Sequence, residues 1–394
     1  MKPRKIKDGI YWVGAVDWDR RLFDDLIPLP DGTSYNAYLI QGSDKTALID
    51  TVEPEMSHTL LNRLKQLGIE RIDYVIANHA EQDHSGTLPQ ILAHHPQAQV
   101  VCTPKCKNML LDFELAPEDR FLTVDDGITL SLGDRTLEFI HAPWVHWPET
   151  MLTYLQEDKI LFSCDFLGSH LASTELYAKD EGLVYEAAKR YYAEIMMPFR
   201  KMIQRNLKKI QEYEFSLIAP SHGSIYNRPE FILEAYQEWV FSEPKNIVVL
   251  PYISMHGSTR EMVEHLVDAL IENGVTVKLF NLSVTDIGEL AISLVDAATI
   301  VIGSPTVLGG AHPNVVYAAY LANALRAKAK FVSIIGSYGW GGKMVEQLAS
   351  MIPNLEVEIL DPVVIKGRPK AEDFEALDKL AASIAEKHKK LGQL

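Results

Sequence analysis

From about residue 246 onward the chain alternates strand-type and helix-type segments without a break, and no other feature restricts the fold as much. Apolar runs of strand length recur as IVVLPYIS, VTVKLFNL, TIVIGSP, KFVSIIGSY and EVEILDPVVIKG. The segments REMVEHLVDALIENG, IGELAISLVDA, NVVYAAYLANALRA, GGKMVEQLASMI and AEDFEALDKLAASIAEKHKKL follow them in turn, with apolar residues at helical spacing. The first of these ends on Gly274, a residue suited to a helix C-terminus. A strand that returns through a helix to lie beside the previous strand must run parallel to it, with helices on both faces. Residues 244–394 are therefore predicted to form an α/β domain with a doubly wound, five-stranded parallel sheet.

Open sheets of this kind bind ligands at the carboxyl ends of their strands. Three loops lie there. The first, SMHGSTR, comprises Ser254, Met255, His256, Gly257, Ser258 and Thr259 before Arg260, and leads into a helix N-terminus, where amides and hydroxyls can hold an anion. It has neither the glycine pattern of a dinucleotide fold nor a P-loop lysine, which suits a mononucleotide phosphate held by neutral donors. The second, within GSPTVLGGAHPN, offers Ser304, Pro305, Thr306, Val307, Leu308 and Gly309. The third, GSYGWGG, offers Ser337, Tyr338, Gly339, Trp340 and Gly341, with flat aromatic faces for a ring. These loops on that sheet edge resemble flavodoxin. The resemblance implies FMN, its phosphate in 254–259 and its ring between 304–309 and 337–341.

Residues 1–243 mix strands and helices irregularly, as an α+β region does. TSYNAYLIQG and KTALIDT read as a strand pair, TLSLGDRTLEFIHAP as a hairpin about Gly133 and Asp134, and MLTYLQEDKILFSCD as another about Glu157 and Asp158. Helices are predicted in EPEMSHTLLNRLKQLG and, as one long element, in GLVYEAAKRYYAEIMMPFRKMIQRNLKKIQEY. Hairpins interspersed with helices suggest a sandwich of sheets with helices packed outside.

The chemistry of this half is concentrated in NHAEQDHSG, residues 78–86, which sets His79, Glu81, Asp83 and His84 in a loop between a strand and a helix. Three more candidates follow strand-like runs: His146 in PWVHWPET, Asp165 in LFSCDFLGSH and His222 in LIAPSHGSIYN. The series resembles the metallo-β-lactamase superfamily, with its His-x-His-x-Asp-His loop, a later His, a bridging Asp and a final His. That resemblance implies an αβ/βα sandwich and a two-metal site, with His79, Glu81 and His146 on one ion, Asp83, His84 and His222 on the other, and Asp165 between them. Here Glu81 stands where the superfamily loop carries its second histidine. Nitrogen-rich tetrahedral sites suit zinc, whereas carboxylates added to imidazoles suit harder, redox-active iron. His170 and Tyr192 are weaker candidates, as a neighbour of the site and a pocket hydroxyl. His58, His94, His95, His141, His256 and His312 read as structural or surface residues.

A metallo-β-lactamase-like domain with that glutamate, joined to a flavodoxin-like domain, resembles the flavodiiron proteins over essentially the whole chain. The resemblance implies reduction of O2 to water, of NO to N2O, or of both, at two non-haem irons supplied with electrons by FMN. It further implies a head-to-tail homodimer, alone or as a dimer of dimers, and an external donor such as rubredoxin or reduced deazaflavin F420. No Cys-x-x-Cys pair follows the second domain, so a fused rubredoxin module is not expected. A zinc hydrolase with an appended flavodoxin module and a non-catalytic flavin carrier are the competing readings. The net charge of −15 disfavours a nucleic-acid partner. No run approaches the roughly 20 apolar residues of a membrane span, and no signal peptide is expected. Three cysteines, Cys102, Cys106 and Cys164, cannot form a disulfide framework and read as buried packing residues in a cytoplasmic protein.

Overall fold

A computed structural model describes residues 2–392, which divide into two compact units: the first holds the residues up to Tyr192 together with Phe199–Val240, and the second holds Ala193–Pro198 together with the residues from Phe241 on. The first unit is built on two sheets. Seven strands form one, in the order Arg4–Lys7, Ile10–Trp12, Tyr38–Gln41, Thr46–Ile49, Tyr74–Ile76, Gln99–Cys102 and Phe121–Thr123. Five form the other: Thr129–Ser131, Thr136–His141, Met151–Leu155, Ile160–Cys164 and Leu217–Pro220.

The alternation of side chains along a strand explains why this sheet pair must be covered on both sides. Tyr38, Ile40, Ala47 and Ile49 of the larger sheet pack in one buried cluster with Leu137, Phe139, Met151, Ile160 and Phe162 of the smaller. Their immediate neighbours Leu39 and Leu48 point the opposite way, into a cluster with Leu60, Leu64, Ile91, Cys106 and Leu110 from three helices. The result is the αβ/βα sandwich of the metallo-β-lactamase fold. All three expected hairpins form, with Tyr38 opposite Ile49, Leu130 opposite Leu137 and Thr153 opposite Phe162.

Two local features differ from expectation. Asp83 and His84 lie on a helical turn of their own, Gln82–Ser85, before the helix Leu88–His94 begins. The predicted long helix is broken: Glu181–Tyr191 is α-helical, Tyr192–Met196 is a π turn, Met197–Phe199 is a 3-10 turn, and Arg200–Ile210 is α-helical again. Pro198 accounts for the break, because it has no N–H to donate and its ring crowds the carbonyl four residues earlier.

The second unit is flavodoxin-like. Its parallel sheet runs Thr276–Asn281, Lys245–Tyr252, Ala297–Val307, Phe331–Tyr338, and then a fifth position shared by Glu358–Ile359 and Val363–Lys366. The last predicted strand is thus two short pieces. Pro362 lies between them and cannot donate to the ladder. The end of the third strand extends into a small antiparallel pair, Thr306 facing Ala311, which shapes the loop beyond it.

Candidate metal centre and flavin cleft

The donor-rich residues leave the ends of strands that the core holds in place. His79 follows Tyr74–Ile76, Asp165 follows Ile160–Cys164, His222 follows Leu217–Pro220, and His146 comes shortly after Thr136–His141. Ligand atoms of His79, Glu81, His146 and Asp165 all lie within 4.8 Å of one another, and so do those of Asp83, His84 and His222. Asp165 faces both groups. Its Oδ2 is 3.5 Å from His79 Nε2 and 3.3 Å from His146 Nε2, while its Oδ1 is 3.0 Å from His84 Nε2 and 3.3 Å from His222 Nε2. Glu81 Oε2 stands 3.0 Å from His79 Nε2 and 3.1 Å from His146 Nε2. Asp83 Oδ2 stands 3.1 Å from His222 Nε2.

These separations have a simple interpretation. Around a cation bound at about 2.1 Å, neighbouring donor atoms lie about 3.0 Å apart in an octahedron and about 3.4 Å in a tetrahedron. The observed spacings are those of polyhedron edges. Both carboxylate oxygens of Asp83, both ring nitrogens of His84 and Oδ1 of Asp165 are buried without a hydrogen-bond partner. Buried polar atoms are rarely left so, and a pair of cations accounts for most of these orphans at once. The electrostatics agree. Burial opposes ionisation of Asp165, but His84 and His146 hold its carboxyl well below the usual range. Burial likewise disfavours charge on His79, yet the Glu149 and Glu81 carboxylates push it well above. The cluster demands positive charge at its centre.

Residues that sequence reasoning passed over hold the ligands in place. His79 Nδ1 lies 2.6 Å from Glu149 Oε1, and His222 Nδ1 lies 2.7 Å from the Ser34 carbonyl, so each ring presents Nε2 inward. Asp50 ties two ligand-bearing loops together. It accepts from the Asn78 backbone and side-chain amides at 2.9 and 3.1 Å and from the Ser221 hydroxyl at 3.1 Å. His170 is buried, with its ring 4.8 Å from that of His222 and Nδ1 2.8 Å from the Thr33 hydroxyl. Burial, reinforced by His222, pushes its imidazole well below the usual range. Tyr192 does not take the pocket position expected of it: its ring packs on Tyr236 and Trp239 at 5.4 and 5.6 Å. Its neighbour Tyr191 lies against His170 and His222 instead, because consecutive helical side chains point about 100° apart.

In the second unit a cleft of about 450 Å³ is lined by Met255, His256, Ser258 and Thr259 from the first loop, the whole of 305–309, and 337–340. Gly367 completes it and had no sequence signal. Ser254, Gly257, Ser304 and Gly341 do not line the cleft. The Ser254 hydroxyl accepts from the Gly257 and Arg260 amides, which shapes the turn, and Gly257 adopts the positive φ of 97° that this turn requires. Ser304 is similarly committed, accepting from the His312 amide. Thr259 and Ser337 share a hydrogen bond at 3.1 Å across the cleft floor. Trp340 is 89% exposed and Leu308 is 96% exposed, which leaves broad apolar faces at the rim.

Known proteins resemble the chain over nearly its whole length. Residues 33–223 match the family described as ODP family beta lactamase. A nitric oxide reductase of Moorella thermoacetica is 38% identical over 393 residues, covering 98% of each chain. Among solved structures, the rubredoxin oxygen:oxidoreductase of Desulfovibrio gigas superposes with a TM-score of 0.95 at 30% identity, covering 99% of both chains. The flavodiiron protein of Giardia intestinalis superposes at 0.90 with 29% identity, covering 98% of both. The chain belongs to the flavodiiron protein family. Within this flavodiiron protein the expected seven residues converge on one buried centre, and the three expected loops meet at one cleft. The two belong to different units of the chain.

Proposed function

We propose that this flavodiiron protein is an oxidoreductase that reduces O2 to water, NO to N2O, or both, at two irons held by His79, Glu81, Asp83, His84, His146, Asp165 and His222. FMN in the 254–259, 305–309 and 337–340 cleft would relay electrons from a small external donor such as rubredoxin. When bound, the two irons and the flavin supply the electron-transfer chemistry that no side chain possesses. The overall conversions need four electrons and four protons per O2, or two electrons and two protons per pair of NO. The observation that carries the reading is the carboxylate of Glu81, set between His79 and His146 where hydrolytic relatives are expected to have an imidazole.

The chain's own residues do the positioning. Asp165 presents one oxygen to each half of the cluster and so holds both positions close together. Glu149 and the Ser34 carbonyl lock the two imidazoles they touch, and Asp50 keeps the loops bearing His79 and His222 in register. His170, held neutral, adds no positive charge beside His222. In the flavin cleft, Ser258 and Thr259 at the start of helix Ser258–Glu272 offer hydroxyls and amides to a phosphate. By resemblance to the family, a head-to-tail homodimer, alone or paired into a tetramer, would set the FMN of one subunit beside the irons of another. No described helix is long and apolar enough to cross a membrane. Three buried, unpaired cysteines suit the reducing cytoplasm.

The test is anaerobic reduction followed by rapid mixing with O2 and NO in separate experiments, on protein whose metal and flavin content is known. Two irons, one FMN and rapid reoxidation by at least one gas are expected. Two zinc ions with negligible iron, or a reduced protein inert to both gases, would overturn the proposal.

A further inference from the structure

The two halves of the cluster look balanced in charge: Glu81 serves one, Asp83 the other, and Asp165 both. Beyond the ligand atoms the balance breaks in the hydrogen bonds to the imidazole rings: the other buried carboxylate nearby, Asp50, accepts from Asn78 and Ser221 and bonds no ligand ring. His79 Nδ1 donates to a carboxylate, Glu149 Oε1, at 2.6 Å. His222 Nδ1 donates to a neutral carbonyl at 2.7 Å, and His84 Nδ1 has no hydrogen-bond partner. Glu149 is 2% exposed, and among the described residues no lysine or arginine pairs with it. Its Oε1 also accepts from the Ala80 amide at 3.0 Å, while its Oε2 has no partner at all. A buried negative charge with so little other compensation acts mainly through the imidazole it touches. The Thr103 hydroxyl donates to the Glu149 carbonyl at 3.0 Å, which anchors its backbone.

We infer that Glu149 is a positioning residue that makes the two metal positions unequal, strengthening His79 as a donor and biasing the more oxidised charge toward the His79–Glu81–His146 side. An anionic acceptor on the far nitrogen raises the basicity of a metal-bound imidazole and favours the higher oxidation state of the ion it binds. With irons bound, the Asp83–His84–His222 position would then be the easier of the two to reduce and the His79–Glu81–His146 position the harder. This rests on the diiron reading and adds to it an order of loading set by one residue outside the ligand sphere.

The experiment uses the full-length protein loaded with iron and FMN, and titrates its potential while following the spin-resonance signal of the half-reduced cluster. Glu149→Gln keeps an oxygen to accept from His79 and Ala80 but removes the charge. With two irons retained, the lower-potential step is expected to move upward and the yield of the half-reduced state to fall. In competition with a chelator, one of the two irons is expected to be held roughly 10–100-fold more weakly while the other is unchanged. If Glu149→Gln fails to fold or to take up iron, Glu149→Asp keeps the charge but withdraws it by one methylene. The same step should then shift upward by a smaller amount. Two irons with both steps unmoved, in whichever variant is measured, would refute the inference while leaving the diiron reading intact. Wild-type protein that takes up no iron would sink both.

Discussion

His388 offers a quantitative test of what holds the flavodoxin-like unit together. It lies in the last helix, Ala371–Lys390, and is completely buried. Its Nε2 is 2.7 Å from the Thr299 hydroxyl and its Nδ1 is 2.8 Å from Asn246 Oδ1. The Asn246 amide group donates to the Gly274 carbonyl at 2.8 Å, so its oxygen must face the histidine and accept from Nδ1–H. With the proton on Nδ1, the neutral ring accepts at Nε2 from the Thr299 hydroxyl. Burial pushes its pKa down to about 4 from the ordinary 6.5. The folded state therefore binds fewer protons than the unfolded state between these values. Stability contributed by the neutral ring is fully present above pH 6.5 and is lost as pH falls toward 4. Linkage converts the shift into about 3 kcal/mol in total, of which about 2 kcal/mol disappears between pH 7 and pH 5. Urea unfolding of the full chain at these two pH values, followed by flavin fluorescence, measures that loss. In His388→Gln the neutral stability is expected to be lower, but the pH-dependent loss should shrink by about 2 kcal/mol. An unchanged loss would show that His388 does not carry the proton linkage, and the argument from its burial would fail.

Two further outcomes bear on the metal centre. Glu81→His restores a nitrogen-rich set and is expected to shift metal content from iron toward zinc by about tenfold or more on anaerobic expression, with loss of gas reduction. Elemental analysis still giving two irons would refute the role assigned to that carboxylate. Asp50→Ala leaves the Asn78 amides and the Ser221 hydroxyl without their buried acceptor, which should cost about 2–4 kcal/mol in chemical unfolding of the first unit. Metal affinity should fall roughly 10–100-fold with it. A change below about 0.5 kcal/mol would place the clamp elsewhere.

Local periodicity determined much of this molecule before any tertiary contact was considered. A two-residue repeat and a helical repeat are each visible within a short window, so the parallel sheet, its helices and its three ligand-facing loops were legible from residue order. The seven candidate donors were named through the resemblance of their order along the chain to the metallo-β-lactamase series, since a single histidine or aspartate near a strand end is more often a cap or a core residue. The partners of those donors left no such trace. Glu149 reaches His79 across 70 residues, Ser221 reaches Asp50 across 171, and the acceptor for His222 is a backbone carbonyl 188 residues away. A backbone carbonyl carries no residue-type signal, and a lone buried glutamate resembles any other glutamate until the strands are stacked. Tyr191 rather than Tyr192 lies beside His170, since successive side chains at the end of helix Glu181–Tyr191 point about 100° apart and only the packed helix shows which of them faces inward. Residue chemistry settled what could bind here; the packing of two sheets face to face settled which distant groups orient it, because only close packing brings their hydrogen-bonding atoms within reach.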